Sequence, residues 1–436
     1  MTQHQSRKAV PFDTMQYLFE ETGFHDHQVH AVIHFDDAVD AEAMARAVML
    51  LMETVPLLSS RYHHDGGDDS WEPAPYTLDD VWSLAATNEA FQRFVTSRTD
   101  EANGPQLRAC LGEDGHALAA TANHMVCDAI GFKQLLYLLA AYYTGLRAEA
   151  GYVPGPLNQA ERGCRDVLGA TTLRRRLAIL RGLRDLPWPG TAALPLGTGS
   201  DAAPFILVHT LPSARYGRLL AYCAAERVSV NDVLLTAYHR ALAATPCVDG
   251  EPADVPIMVD MRRYLRSRAT TTIDNLTSTA NTRIDVGPGE TFTGTLGRVH
   301  TQMDHLKRNL IGMDTVVWLW SLARRSPRKR YEAIRQGLRN PNLCMTNIGV
   351  IDAGKLTFAG TRVQDAVVTN AIKYRPHVQV AASLFRDRLT FSTNLYGDAH
   401  DQDTLRRLHA AIDAELPGRD PADAPVPDRV YAGPQR

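Results

Sequence analysis

The stretch His116-Ala-Leu-Ala-Ala-Thr-Ala-Asn123-His124-Met-Val-Cys127-Asp128-Ala129-Ile-Gly131, continued by Phe132-Lys-Gln-Leu-Leu-Tyr-Leu-Leu139, decides the reading of this chain. An apolar run into His124 predicts a buried strand, a tight turn follows, and Asp128 is placed to cap a long amphipathic helix to Gly145. That layout holds an imidazole at a strand end, where a substrate can reach it. The string alone is not specific, because His-x3-Asp occurs four times: His64/Asp68, His124/Asp128, His300/Asp304 and His409/Asp413. The last two fall in helical patterns, where this spacing sets two polar side chains on one solvated face. His64/Asp68 brackets Asp65-Gly66-Gly67, an exposed hairpin turn. Only His124 has an apolar strand before it and a capped helix after it.

At 436 residues the chain exceeds one ordinary core, so two domains or two similar halves are expected. Its 44% hydrophobic and 22% charged residues are those of a soluble globular protein. A net charge of −3 argues against global attraction to nucleic acid or anionic membrane. The first residues lack the apolar core of a signal peptide, and no run approaches the ~18 apolar residues of a spanning helix. Six scattered cysteines (Cys110, Cys127, Cys164, Cys223, Cys247, Cys344) without Cys-x-x-Cys fit free thiols in a reducing cytoplasm.

Alternation and helical periodicity give a mixed order of elements. Strands are expected over 28–35, 107–111 and 117–122, a helix over 41–53 capped by Asp40, and a hairpin at 56–62 and around Trp71. Residues 79–103 carry a further helical pattern, and 173–185 an Arg-rich helix. The Pro, Gly, Ala and Ser of 186–204 break regular structure and mark the boundary. Beyond it, strands are expected at 205–211, 255–259, 279–286, 343–347, 366–371, 378–385 and 389–394. Helices are expected at 214–225, 231–242, 291–310 and 403–416. The domains read from this are an N-terminal subdomain over 1–190, a linker over 191–204 and a C-terminal subdomain over 205–416. The last stretch, 417–436, reads as a disordered tail.

Several landmarks then coincide in order. The strand at 29–35 followed by VDAEAMARAVMLLMETVPLLSSRYHHDGGDDSWEP resembles the opening of condensation domains of non-ribosomal peptide synthetases. Asn123–Ala129, NHMVCDA, resembles the His-His-x3-Asp-Gly signature of that superfamily. VPIMVDMRRYL (255–265) resembles the Pro-x-x-Val-Asp-Leu-Arg segment of polyketide-associated acyltransferases and wax ester synthases. DNLTS (274–278) is similar to their Gly-Asn segment, and MTNIG (345–349) to their Ser-Asn-x-Gly strand. Together these cover most of residues 10–416. The chain departs from the signature at Asn123, where the first histidine would stand, and at Ala129, where the glycine would stand.

The resemblance implies an α/β fold with mixed α+β sheets: two chloramphenicol-acetyltransferase-like subdomains in a V with a tunnel between them. His124 would lie at the middle of the tunnel as general base, moving an acyl group from a thioester to a hydroxyl or amine. The donor would be an acyl-CoA or a phosphopantetheinyl thioester on a carrier protein supplied in trans, the acceptor a small molecule, and no cofactor would be bound permanently. Ester or amide formation in specialised metabolism follows. Two alternatives stay open: amide-forming condensation of carrier-bound substrates, and a non-catalytic protein that recruits carriers.

The chemistry matches the residue types. A neutral alcohol needs a base within hydrogen-bond reach, and an imidazole is mostly neutral at pH 7 yet able to take a proton. Asp128 is expected to cap its helix, and the resemblance implies that it pairs with Arg262 from the other half; a carboxylate held by Arg cannot also orient the imidazole, so its role is expected to be structural. Asn123, Asn275, Thr346 and Asn347 are candidates for oxyanion or acceptor contacts, with backbone N–H groups near 127–129. Cys127 lies in the motif but has nothing to activate it. No metal is expected: His25, His27, His30 and His34 cluster in sequence, but His30 and His34 would stand roughly 13 Å apart on a strand. The basic runs Arg174, Arg175, Arg176, Arg181, Arg184 and Arg324, Arg325, Arg328, Lys329, Arg330 could meet coenzyme A phosphates or a carrier's acidic helix, or be solvated helix faces.

Overall fold

The computed structural model describes residues 6–149, 151–158, 161–183, 190–200, 202–246, 254–265, 271–424 and 426–433. Two sheet-centred halves arise, as expected, from mixed strands and helices. The first sheet has strand order Val363–Thr369, Gln28–Phe35, Ala117–Asn123, Leu107–Leu111, Trp82–Leu84. The second runs Thr277–Arg283, Asp254–Asp260, Leu343–Ile351, Val378–Phe385, Arg388–Gly397, Ala203–Thr210, Arg429–Ala432, with Lys373–Tyr374 also paired to Arg388–Gly397. A small third sheet joins Arg7–Lys8 to the hairpin Ser60–His63 and Ser70–Pro73.

Strand Gln28–Phe35 shows how sequence becomes packing. Val29, Ala31, Ile33 and Phe35 alternate onto one face and join Met44, Val48 and Leu51 of helix Ala41–Thr54 and Phe132, Leu135 and Leu139 of helix Ala129–Ala148 in one core. Each of these side chains apart from the small Ala31 contributes about 1.5–3 kcal/mol once buried. Val32 points the other way, into a seam with Ala119 and Val367 that also takes Ile206, Val208 and Tyr431 from the other half. Asp40 caps the first of these helices through the N–H groups of Glu42 and Ala43.

The halves are not two separate stretches of chain, which corrects the boundaries read from sequence. Strand Val363–Thr369 pairs antiparallel with Gln28–Phe35, completing the first sheet from beyond residue 205. In return Phe12, Met15 and Leu18 join the core of the second half. The tail also is not disordered throughout: Arg429–Ala432 pairs with Ala203–Thr210, and Tyr431 is buried between the halves. Its apolar run, Val430-Tyr431-Ala432, is short and sits in a stretch rich in Pro and Asp, so composition masked it.

Other expectations need revision. Residues 79–103 form two short helices, Leu78–Val81 and Asn88–Val95, around a strand, Trp82–Leu84. Helix Pro11–Glu21 was not expected, although Pro11 opens it and Asp13 accepts the N–H of Val10. Helices Met313–Leu322 and Pro327–Gly337 were likewise unread. His409 does not sit on a solvated face; it is fully buried, and its Nε2 bonds the Thr393 hydroxyl at 2.8 Å. Arg184 and Cys247 lie outside the described residues.

Candidate active site

Strand Ala117–Asn123 ends at the turn that carries His124, and Asp128 begins helix Ala129–Ala148 by accepting the Gly131 N–H. The turn is pinned from several sides. The His124 N–H donates to the His27 carbonyl at 2.6 Å, and the Asn123 side-chain oxygen accepts the Met125 N–H at 2.8 Å. Arg162, which the sequence did not single out, donates to the Val126 carbonyl at 2.5 Å and pairs with the buried Asp13 at 2.6 Å. Gly131 answers a close approach: a Cβ there would stand 2.8 Å from the Cys127 Cβ and 3.2 Å from the Asp274 backbone. The glycine is therefore needed at 131, whereas position 129 tolerates alanine.

Asp128 holds the halves together at this point. Its Oδ2 accepts from Arg262 Nη1 at 2.8 Å, from the Leu276 N–H at 2.8 Å and from the Thr277 hydroxyl at 3.0 Å. Burial alone would raise its pKa, but the Arg262 charge and these hydrogen bonds outweigh it and hold the carboxyl below its ordinary value. Arg262 also reaches the carbonyls of Thr272 and Asp274. Its Oδ1 accepts the Gly131 N–H, and among the described residues Asp128 makes no hydrogen bond to the imidazole.

Asn275 does that instead. Its Nδ2 donates to the His124 and Met125 carbonyls at 2.5 and 3.0 Å, so its Oδ1 must face His124 Nδ1, 3.1 Å away, as acceptor. Nδ1 therefore carries the ring proton, and Nε2, without a hydrogen-bond partner among the described residues, presents its lone pair. Burial lowers the His124 pKa below its ordinary value, against the opposing effects of its backbone, Asp128 and Asn275, so the ring is neutral at pH 7. A neutral imidazole with one nitrogen anchored and the other bare is a base. Replacing Asn275 by leucine removes the acceptor that also steadies the imidazolium. A hydrogen bond to a charged group is worth about 1.5–3 kcal/mol, so a reaction that uses His124 as base is expected to lose roughly 10–100-fold in kcat with KM little changed. Steady-state kinetics check this; an unaltered kcat counts against it.

The His124 ring opens on a cavity of about 840 Å³ lined by both halves. Phe19, Phe24, Ile179, Leu306, Trp318 and Ile348 give it apolar walls; Thr346, Lys373 and Gln379 add polar points. Its size falls within the ~300–1,000 Å³ typical of small-molecule sites.

The other expected contacts distribute unevenly. Thr346 lines the cavity, but Asn347 is exposed and turned to Asn231, and Asn123 is fully buried in the turn. Asn275 cannot serve as an oxyanion donor, since both its amide hydrogens are committed to carbonyls. Cys127 is buried beside Asp128, and burial pushes its thiol far up, as an inert group. His30 bonds Thr121 and His34 bonds Tyr431, while His25 stacks near His124 with ring centres 6.3 Å apart. Of the basic runs, Arg175 lines the cavity, Arg176 braces the Leu168 and Thr171 carbonyls, and Arg330 bonds the Gly67 carbonyl.

Neither a family model nor the sequence of a curated protein matches the chain. Solved structures do resemble it in fold. The first condensation domain of the calcium-dependent antibiotic synthetase, in complex with a substrate analogue, aligns with a TM-score of 0.67 at 16% identity, covering 97% of this chain and 98% of that one. The epimerization domain from the third module of tyrocidine synthetase B aligns at 0.66 and 17%, over 95% and 98%. Polyketide synthase associated protein 5 from Mycobacterium tuberculosis aligns at 0.64 and 16%, over 93% and 97%. The chain thus has the two-subdomain condensation-domain fold across nearly its whole length.

Proposed function

We propose that the protein is an acyltransferase that moves an acyl group from a thioester to a hydroxyl or amine, with His124 as general base. One observation carries this: a neutral imidazole, fixed by Asn275 with its Nε2 bare, facing a cavity between the halves. In the step, His124 Nε2 takes the proton of the acceptor O–H or N–H as that atom bonds to the thioester carbonyl carbon. The carbonyl electron pair moves to oxygen, returns, and expels sulfur with the C–S bonding pair. The imidazolium then protonates the thiolate, so acid and base are both restored. Holding both substrates in one cavity supplies part of the acceleration, up to roughly 7–11 kcal/mol in favourable cases. No serine or cysteine nucleophile enters this scheme.

Arg175 at the cavity wall supports a donor whose handle carries phosphate, as coenzyme A and phosphopantetheine both do. A cavity of this size with His124 on its wall favours catalysis over the carrier-recruiting alternative, which needs no such space. Incubation with acyl-CoA or acyl-carrier thioesters plus a mixture of alcohols and amines, read by mass spectrometry, tests the reading. Thiol release coupled to a new ester or amide supports it; carrier binding without turnover supports the recruiter.

The pH profile gives a second check. The base works when neutral, and its pKa lies below the ordinary ~6.5, so the protonation that silences it comes at lower pH. The acid limb of kcat/KM is expected below pH ~6.5. A limb at or above that value argues for a different base.

A further inference from the structure

Two buried histidine and lysine side chains in the cavity have no part in the scheme above. Lys373 follows a short loop after strand Val363–Thr369 and forms an isolated bridge with His25. It is only 3% exposed and lines the cavity, with its ammonium 3.6 Å from the centre of the Phe24 ring. Among the described residues that ammonium has no hydrogen-bond acceptor and no carboxylate at ion-pair distance. Lys133, the other buried lysine, shows what a settled ammonium looks like: it donates to the Ile348 and Val350 carbonyls at 2.7 and 2.9 Å. With only the face of Phe24 against it among the described residues, the buried ammonium still carries a desolvation cost.

Asp26 is the acid that bears on Lys373, yet it is engaged elsewhere. Its Oδ1 accepts the Gln28 and Ile372 N–H groups and its Oδ2 the Tyr396 hydroxyl. Cys344 and His377 are the remaining titratable neighbours, besides His25 and His124. None supplies a fixed negative charge.

His25 adds a second donor. His27 sits at φ 41°, a left-handed conformation, and from there its N–H donates to His25 Nδ1 at 3.0 Å. Nδ1 is thus an acceptor, and the neutral ring carries its proton on Nε2. Burial, with the Lys373 charge, keeps His25 neutral by holding its pKa well below the ordinary value. Among the described residues Nε2 has no partner. The turn thus fixes the His25 tautomer and leaves its Nε2–H as a donor.

We propose that the Nε2–H of His25 and the ammonium of Lys373 form a subsite for an anionic oxygen, in the cavity beside the His124 ring. The oxygen belongs either to a carboxylate on the substrate or to the tetrahedral intermediate of the transfer. The second source rests on the acyl-transfer reading; the first does not. Apolar walls around the pair fit a carboxylate or thioester borne on an aliphatic or aromatic chain.

The test uses the full chain with Lys373→Met and His25→Phe, which delete the donors, and Lys373→Arg and His25→Gln, which keep them. Binding of decanoate and decanamide is measured by calorimetry, and turnover of decanoyl-CoA and of a decanoyl-carrier thioester with a mixed alcohol and amine pool by thiol release. If the oxygen is a carboxylate, the wild type binds decanoate at least about tenfold more tightly than decanamide, Lys373→Met erases the preference, and Lys373→Arg keeps it. If it is the intermediate's oxyanion, both ligands bind alike, and Lys373→Met or His25→Phe lowers kcat about 100-fold with KM unchanged, restored in part by Arg or Gln. Thiol release that is absent from the wild type sinks the acyl-transfer reading and leaves the calorimetry to decide the subsite. The subsite is overturned when decanoate gains no preference in the wild type and the deletions do not slow thiol release, or no release occurs.

Discussion

Alanine at position 124 is expected to slow acyl transfer by about 10²–10⁴-fold while the protein stays folded. In the proposed mechanism the ring transfers a proton, and its hydrogen bond to another side chain among the described residues is to Asn275 Oδ1. Deleting it leaves that oxygen at the edge of a cavity where solvent can take the vacant place. Thermal unfolding should therefore shift little, and the defect should appear in kcat. Transfer by His124→Ala at the parental rate would remove the base from the mechanism and leave the condensation-domain fold without an assigned catalyst.

Arg262→Met is expected to destabilise the protein by about 3–5 kcal/mol, because it strands a carboxylate that is almost wholly buried. Asp128 would keep the N–H groups of Gly131 and Leu276 and the Thr277 hydroxyl, but lose its charged partner. Denaturant unfolding measures the loss. Adding Asp128→Asn should recover part of it, since removing both charges spares the stranded one. The sign with pH follows from the lowered native pKa of Asp128: its contribution is complete above the ordinary carboxylate range. It fades as pH falls through the native value. A double variant no more stable than Arg262→Met would show that the pair is not the source.

The strand-turn-helix around His124 was legible because each part is local: an apolar run, a cap three residues ahead of Gly131, and helical spacing after it. Asp128 and Arg262 could be matched only through the resemblance, since nothing local brings them within 2.8 Å. Asn275 was singled out for the wrong task. Its position near the base was expected, but the direction of its amide is set by the His124 and Met125 carbonyls, which no spacing reveals. Arg162 and Asp13 escaped notice because a buried ion pair across such a separation leaves no pattern in either segment. His25 was weighed as a metal ligand from its sequence neighbours, whereas its partner in space is Lys373.

The exchange of strands between the halves has a mechanical outcome. A segment from beyond residue 360 is stitched to Gln28–Phe35, and Arg429, in the strand laid along Ala203–Thr210, reaches across to Asp365 at 2.8 Å. Two lobes fastened this way can rock about the seam but cannot swing apart without tearing ladder bonds. Substrates of the proposed reaction would then enter by the cavity mouth without the lobes parting, and trimming the final dozen or so residues would loosen the clasp that sets the gap.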